Sequence, residues 1–152
     1  MRVYFQKWRW VLVTFGLIIT ISVYSQTAKE SYSRKTGDTE LLARVIRAEA
    51  EAEPYTGQVA VGAVILNRIQ SSDFPNTLAG VIYEPRAFES VSNGMVNRPP
   101  TESARKAANA ALSGWDPSGG AIFFFNPAKV GAKSYVWTRK IIQQIGQHVF
   151  AI

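Results

Sequence analysis

LLARVIRAEAEAEPYTGQVAVGAVILNRIQ, residues 41 to 70, is the stretch whose geometry decides the fold. Glu49, Glu51 and Glu53 alternate with alanines like one face of a strand, yet alanine and glutamate both favour helix. Leu41, Leu42, Val45 and Ile46 recur at a helical period, so the first half is predicted as a helix. Asp38 is placed to cap its start, with Glu40 set favourably against the helix dipole. Pro54 ends this helix or begins the next turn, and Thr56 is expected to cap a second helix over residues 57 to 70. Apolar residues cover nearly the whole circumference of that second helix, which predicts a buried central element.

Downstream, SSDFPN (71–76) reads as a loop and TLAGVI (77–82) as a short helix. Residues 83 to 100 are mostly irregular, punctuated by Pro85, Gly94, Pro99 and Pro100. An irregular stretch of that length in a small domain points to a functional loop. Thr101 caps an amphipathic helix over TESARKAANAALSG (101–114), closed by Gly114. DPSGG (116–120) is a turn. The character then becomes aromatic and β-branched in AIFFF (121–125), YVWTRKIIQQI (135–145) and QHVFA (147–151), with Gly146 placed to turn one strand into the next. The expected architecture is α+β, helices with a short antiparallel β-sheet near the C-terminus.

Upstream, Arg2, Lys7 and Arg9 form a basic start, and WVLVTFGLIITISV (10–23) is an uncharged apolar run. The run is short for a membrane span, and Val23 and Ser25 are small residues where a signal peptidase reads. Residues 1–25 are therefore expected to be a signal peptide or an N-terminal anchor, residues 26–37 a polar linker, and residues 38–152 the folded domain. Either form of the leader exports the domain.

Formal net charge is +6, but three of the 17 cations lie in the leader, so 14 basic residues face 11 acidic ones beyond it, nearer +3. That mild balance suits an anionic wall or membrane surface, or plain solubility. It carries no dense basic stripe and no nucleic-acid module, so no nucleic-acid partner is expected. With no cysteine and one histidine in the sequence, neither disulfides nor a zinc site of the usual His/Cys kinds is expected. No cofactor is expected: GxGxxG and P-loop patterns are absent. A Ser-His-Asp arrangement would need His148, near the end of a predicted strand, without a GxSxG elbow; His148 reads more naturally as a partly buried sheet residue. Carboxylates remain as the catalytic groups.

On a helical wheel Leu42, Val45 and Ile46 stand seven, four and three positions before Glu49, so Glu49 lies on the apolar stripe. Glu51 falls about 200° away beside Arg47, an i,i+4 pair worth roughly a few tenths of a kcal/mol. Glu53 is one turn past Glu49 on the same side if the helix lasts that far. A carboxyl pressed against aliphatic side chains loses hydration, which raises its pKa, as a general acid requires. Glu49 is therefore either a proton donor or a helix-end residue accepting hydrogen bonds from a loop. Glu53 is either a second active-site carboxylate or a cap on the next helix. A general acid at a helix end, with aromatic rings and asparagines nearby, suits glycosidic bond cleavage. Phe88, Phe124, Phe125, Tyr135 and Trp137 are available to line a sugar groove or to build the core. Asn126 is placed to meet a sugar acetamido group or to start a turn.

LLARVIRAEAEAEPYTGQVAVGAVILNRI, DFPNTLAGVIYEPRAFESV, GWDPSGGAIFFFNP and IGQHVF, in that order, resemble the SleB/CwlJ-type cell wall hydrolases, which include the spore cortex-lytic enzymes. The resemblance spans essentially everything beyond residue 38. It implies a lysozyme-like catalytic domain acting on peptidoglycan as a lytic transglycosylase, without a metal. The family's AEAxxE pattern falls on Glu49 and Glu53, with Glu49 the implied catalytic residue. Glu53 is expected as a supporting, substrate-binding carboxylate, and Phe88, Asn126 and Trp137, from their residue types and positions, as further substrate contacts. The expected protein is an exported monomer at the cell wall or spore envelope, touching a membrane only through an uncleaved leader. A muramidase-type hydrolase and a non-catalytic wall-binding module are the alternatives.

Overall fold

The computed structural model describes the backbone of every residue except Met1 and Ala132, and the side chains of Thr20, residues 22–131 and residues 133–152. The chain divides into two compact units, Met1–Gly37 and Asp38–Ile152. The expected leader falls largely on residues whose side chains lie outside the described set. Among the described residues, no helix is long and apolar enough to cross a membrane.

Helix α1 runs from Arg2 to Ala50. Asp38 is therefore inside the helix and does not cap it. Residues 26–37, read from composition as a linker, have helical backbone. Hydroxyls there turn back on the helix itself, with Ser31 Oγ donating to Ala28 O at 2.9 Å and Thr36 Oγ1 to Tyr32 O at 2.9 Å. Such bonds let polar residues sit in a helix without opening it.

The second unit is built around the corner that follows α1. The residue before a proline is driven out of the helical region, so α1 stops at Ala50 and Glu53 N–H closes a turn on Ala50 O at 3.0 Å. Pro54 itself occupies the N-cap position of α2 (Tyr55–Gln70), with no side-chain cap. Thr56, expected in that role, is the second residue of the helix, because proline can start a helix where no N–H donor is needed. As its uniformly apolar surface predicts, α2 is central, buried continuously from Gly57 to Ile65. Gly62 permits the tightest approach: a Cβ there would lie 2.9 Å from Ile46 Cδ1 and 3.2 Å from Ala111 Cβ.

Helix α3 (Leu78–Ile82) is capped by Thr77, and α4 (Glu89–Ser92) and a 3₁₀ turn (Met95–Asn97) interrupt the irregular stretch. Helix α5 (Glu102–Leu112) begins as expected at Thr101, whose Oγ1 accepts from Ala104 N at 3.1 Å. Its inner face is Ala104, Ala107, Ala108 and Ala111, small residues that let it close on α2. Arg105 on α5 pairs with Glu40 on α1 at 3.2 Å.

Three antiparallel strands follow: β1 (Phe123–Phe125), β2 (Ile141–Ile145) and β3 (His148–Ala151), in the order β1-β3-β2. Phe124 faces Phe150 and Ile145 faces His148 in register, with a bulge between Ile141 and Gln143. The central strand β3 is buried throughout, and Phe150 sits at 0% exposure against Ala60, Val61 and Val64 of α2. The expected long second strand is shorter, since Tyr135–Thr138, which includes Trp137, forms a 3₁₀ turn.

The DPSGG turn locks the sheet to α2. Asp116 accepts from Ser118 N (2.8 Å), Ser118 Oγ (2.5 Å), Gly120 N (2.9 Å) and Asn67 Nδ2 (2.9 Å). Burial alone would raise the Asp116 carboxyl, but these donors outweigh it and hold its pKa below the ordinary value.

Candidate active site

The C-terminal end of α1, the α4 region and the sheet enclose a cavity of about 560 Å³. Glu49 forms part of its wall, opposite residues of three other elements: Ser90 of α4, Phe124 and Phe125 of β1, and His148 of β3. The helical period explains the placement. Leu42, Val45 and Ile46 are fully buried, and Glu49 continues their stripe to the point where the core opens.

Three polar atoms of cavity-lining residues are enclosed without a hydrogen-bond partner among the described residues, Glu49 Oε1, Ser90 Oγ and His148 Nδ1. An unpartnered buried carboxyl oxygen strongly disfavours its own charge. Burial accordingly raises the Glu49 pKa; the nearby Ser90 hydroxyl, which completes no well-aligned hydrogen bond, and the Ser90 amide pull the other way, Glu89 adds to the rise, and Lys129 opposes it. The result is a carboxyl held toward its protonated form at the edge of a cavity, which is the condition for donating a proton.

The other glutamates separate from it. Glu51 is exposed and pairs with Arg47 at 3.4 Å, as the spacing predicts. Glu53 does not line the cavity. The chain turns at Ala50, so Glu53 leaves the helical stripe and its side chain, 5% exposed, points under the β2–β3 hairpin. Its Oε2 accepts from Gln147 N at 2.9 Å. It also does not cap α2 through its side chain.

The expected substrate contacts divide in the same way. Asn126 does line the cavity; its Oδ1 accepts from Ala128 N at 2.9 Å and its Nδ2 donates to Gln147 Oε1 at 3.2 Å. It thus starts a turn and faces the cavity at once. Phe88 is 4% exposed and belongs to the core, with its ring 6.4 Å from Phe124 and the Arg68 guanidinium 5.3 Å above it. Trp137 lies off the cavity wall, edge-on to Phe125 at 5.1 Å, and donates Nε1–H to Gly131 O at 3.2 Å. Phe124 and Phe125 are the aromatic residues that reach the cavity.

Ser90, Glu89 and Lys129 escape a linear reading because they reach the cavity only through the path of two irregular segments. Arg68 escapes it too. Buried on α2, it donates Nε–H to Ile122 O at 2.8 Å and stacks among Phe74, Phe88 and Phe123. It thereby ties the irregular stretch to the start of the sheet. Its extended helical run of apolar neighbours hid it as one more polar interruption.

A family model described as Cell Wall Hydrolase matches residues 52–151. The chain belongs to the cell wall hydrolase family. Glu49 stands three positions before the matched segment, so its part in the site rests on the geometry above. The spore cortex-lytic enzyme of Bacillus cereus is 50% identical over 113 residues, covering 74% of this chain and 43% of the relative. That of Oceanobacillus iheyensis is 48% identical over 126 residues, 83% of this chain and 45% of the relative. The chain therefore spans under half the length of these two relatives. Among solved structures, the catalytic domain of the germination-specific lytic transglycosylase SleB from Bacillus anthracis superposes with a TM-score of 0.72 at 49% identity. The match covers 76% of this chain and 93% of that one. The α+β architecture expected from the sequence, mostly helical with a three-stranded antiparallel sheet at the C-terminus, is thus that of a known catalytic domain.

Proposed function

We propose that this chain degrades peptidoglycan as a lytic transglycosylase, cleaving the bond between N-acetylmuramic acid and N-acetylglucosamine with Glu49 as both acid and base. One observation carries this reading: Glu49 is the carboxyl on the cavity wall whose enclosed oxygen lacks a partner and whose pKa burial raises. Protonated Glu49 gives its proton to the glycosidic oxygen as the C1–O bond breaks toward an oxocarbenium-like state. The resulting carboxylate then takes the proton of the muramic acid 6-hydroxyl as that oxygen closes on C1, forming the 1,6-anhydro ring. Glu49 ends protonated again, so one residue completes the cycle and no water is consumed. Phe124 and Phe125 offer apolar surface to the sugar rings, and Asn126 offers an amide to an acetamido group.

The names of the relatives favour spore cortex during germination as the setting. The basic, apolar leader over residues 1–25 carries the domain out of the cytoplasm, cleaved or retained as an anchor, with residues 26–37 joining the two. The enzyme acts as a monomer on the wall or spore envelope and uses no metal or cofactor.

Digesting purified cortex peptidoglycan and separating the muropeptides by mass tests the reaction. Products ending in 1,6-anhydro-muramic acid are expected. Products with reducing muramic acid ends alone would replace this reading with a muramidase, and absence of any soluble product would leave a wall-binding module.

A further inference from the structure

Beneath the β2–β3 hairpin lies a carboxylate–imidazole pair, Glu53 and His148, that the acid–base cycle of Glu49 does not use. Glu53 is buried at the corner between α1 and α2, where Gln58 Nε2 donates to its backbone oxygen at 3.1 Å and Ser103 Oγ in turn donates to Gln58 Oε1 at 2.8 Å. Its carboxylate divides its two oxygens: Oε2 accepts from Gln147 N at 2.9 Å, and Oε1 faces His148 Nδ1 at 3.7 Å. Gly146 makes room for this, because a Cβ there would collide with Glu53 Oε2 and Pro54 Cδ.

His148 is 8% exposed, and its Nδ1 is enclosed without a hydrogen-bond partner among the described residues. Its ring stands edge-on to Phe124 at 5.3 Å and to Phe150 at 6.4 Å, and it lines the same cavity as Glu49. The enclosed nitrogen is turned to Glu53, which leaves Nε2 as the nitrogen available to the cavity. A neutral imidazole carries one proton on one of two nitrogens, and the hydrogen bond made by the first sets what the second can do. A carboxylate oxygen only accepts, so Glu53 favours the proton on Nδ1. Burial and the nearby Lys129 charge both work against a second proton on the ring, and Glu53 works for it; the balance lowers the His148 pKa.

We propose that Glu53 is a positioning residue that holds His148 as the Nδ1–H tautomer, so that Nε2 accepts a hydrogen bond from an amide N–H or hydroxyl of the amino sugar bound beside Glu49. The pair thus fixes the substrate, and Glu49 does the chemistry. This rests on the glycan-cleaving reading of the cavity.

The histidine is the only one in the sequence, so long-range ¹H–¹⁵N correlation on the labelled full chain reports its tautomer directly and without substrate. Wild type is expected to be Nδ1–H. In Glu53→Gln the amide oxygen takes the Gln147 N–H and the amide NH₂ then faces Nδ1, so the tautomer is expected to switch to Nε2–H. On soluble glycan strands the same variant should raise KM about tenfold, the effect of one lost hydrogen bond, with less change in kcat. His148→Ala should raise KM similarly, and His148→Gln, which restores an acceptor near the Nε2 position, should recover part of it. An Nε2–H tautomer in wild type would overturn the proposal. So would a Glu53→Gln protein that folds and loses thermal stability while keeping both its tautomer and its KM. Should that variant fail to fold, the wild-type tautomer and the two His148 variants decide alone. Retained turnover in Glu49→Gln would instead remove the glycan-cleaving reading, and leaves the tautomer result distinguishable from it.

Discussion

At the scale of single residues, Glu49 and Asp116 are two acids on opposite sides of one balance. Glu49 is desolvated with an unpartnered oxygen and its pKa is raised. Asp116 is surrounded by donors and its pKa is lowered. A raised carboxyl pKa leaves its share of stability intact below the unfolded value of about 4.3 and loses it as pH rises through the folded value. Glu49→Gln, which removes that penalty, is therefore expected to melt higher than wild type near pH 7, with the difference vanishing near pH 3. A depressed pKa has the opposite sign: its stability is present above the unfolded value of about 3.9 and is lost as pH falls through the folded one. Asp116→Asn should accordingly melt lower than wild type at neutral pH, and the gap should close under acid. Thermal melts across that pH range check both, and parallel pH profiles for the two variants would contradict the assignment of their environments.

At the scale of elements, the corner between α1 and α2 and the hairpin over it form one unit. Gly146 has a φ of 59°, a left-handed backbone that glycine adopts without penalty, and the Glu53 carboxylate fills the space a side chain would need. Gly146→Ala is expected to lose about 1–3 kcal/mol in urea unfolding, from strain and from displacement of Glu53. Removal of the Asp116 cradle by Asp116→Ala is expected to lose about 2–3 kcal/mol, since several donors are left without an acceptor. How far these elements could be read from sequence depended on what sets them. Period alone set Glu49, Arg47–Glu51 and the buried α2, and those are legible because each follows from neighbours within two turns. Glu53 leaves the stripe because α1, ahead of Pro54, ends three residues before it at Ala50, which carries its side chain under the β2–β3 hairpin. Phe88 and Trp137 read as sugar contacts by residue type, yet an aromatic in a small domain first fills space, and only tertiary packing decides which ring reaches the cavity. Ser90 lies on the one-turn helix α4 within the irregular stretch and Lys129 on the loop after β1, and no local period dictates the course of either.

At the scale of the whole molecule, α1 supplies Glu49, the proposed acid, and the sheet supplies the other wall of the cavity, so the proposed activity requires both to be closed on α2. Phe150 seals that junction at 0% exposure. Phe150→Ala is expected to cost about 3–5 kcal/mol and to reduce activity in proportion to the unfolded fraction, as denaturant titration and turnover at matched temperature will establish. The segment matched by the family model covers α2 through the sheet, while Glu49, the proposed acid, lies on the helix that precedes it. The most direct test of the central claim is to incubate the purified chain and Glu49→Gln, matched for folding by circular dichroism, with cortex peptidoglycan and to quantify anhydro-muropeptides released over time. The account predicts that Glu49→Gln releases them at least about 100-fold more slowly than wild type. Release at the wild-type rate from a folded Glu49→Gln protein would contradict it.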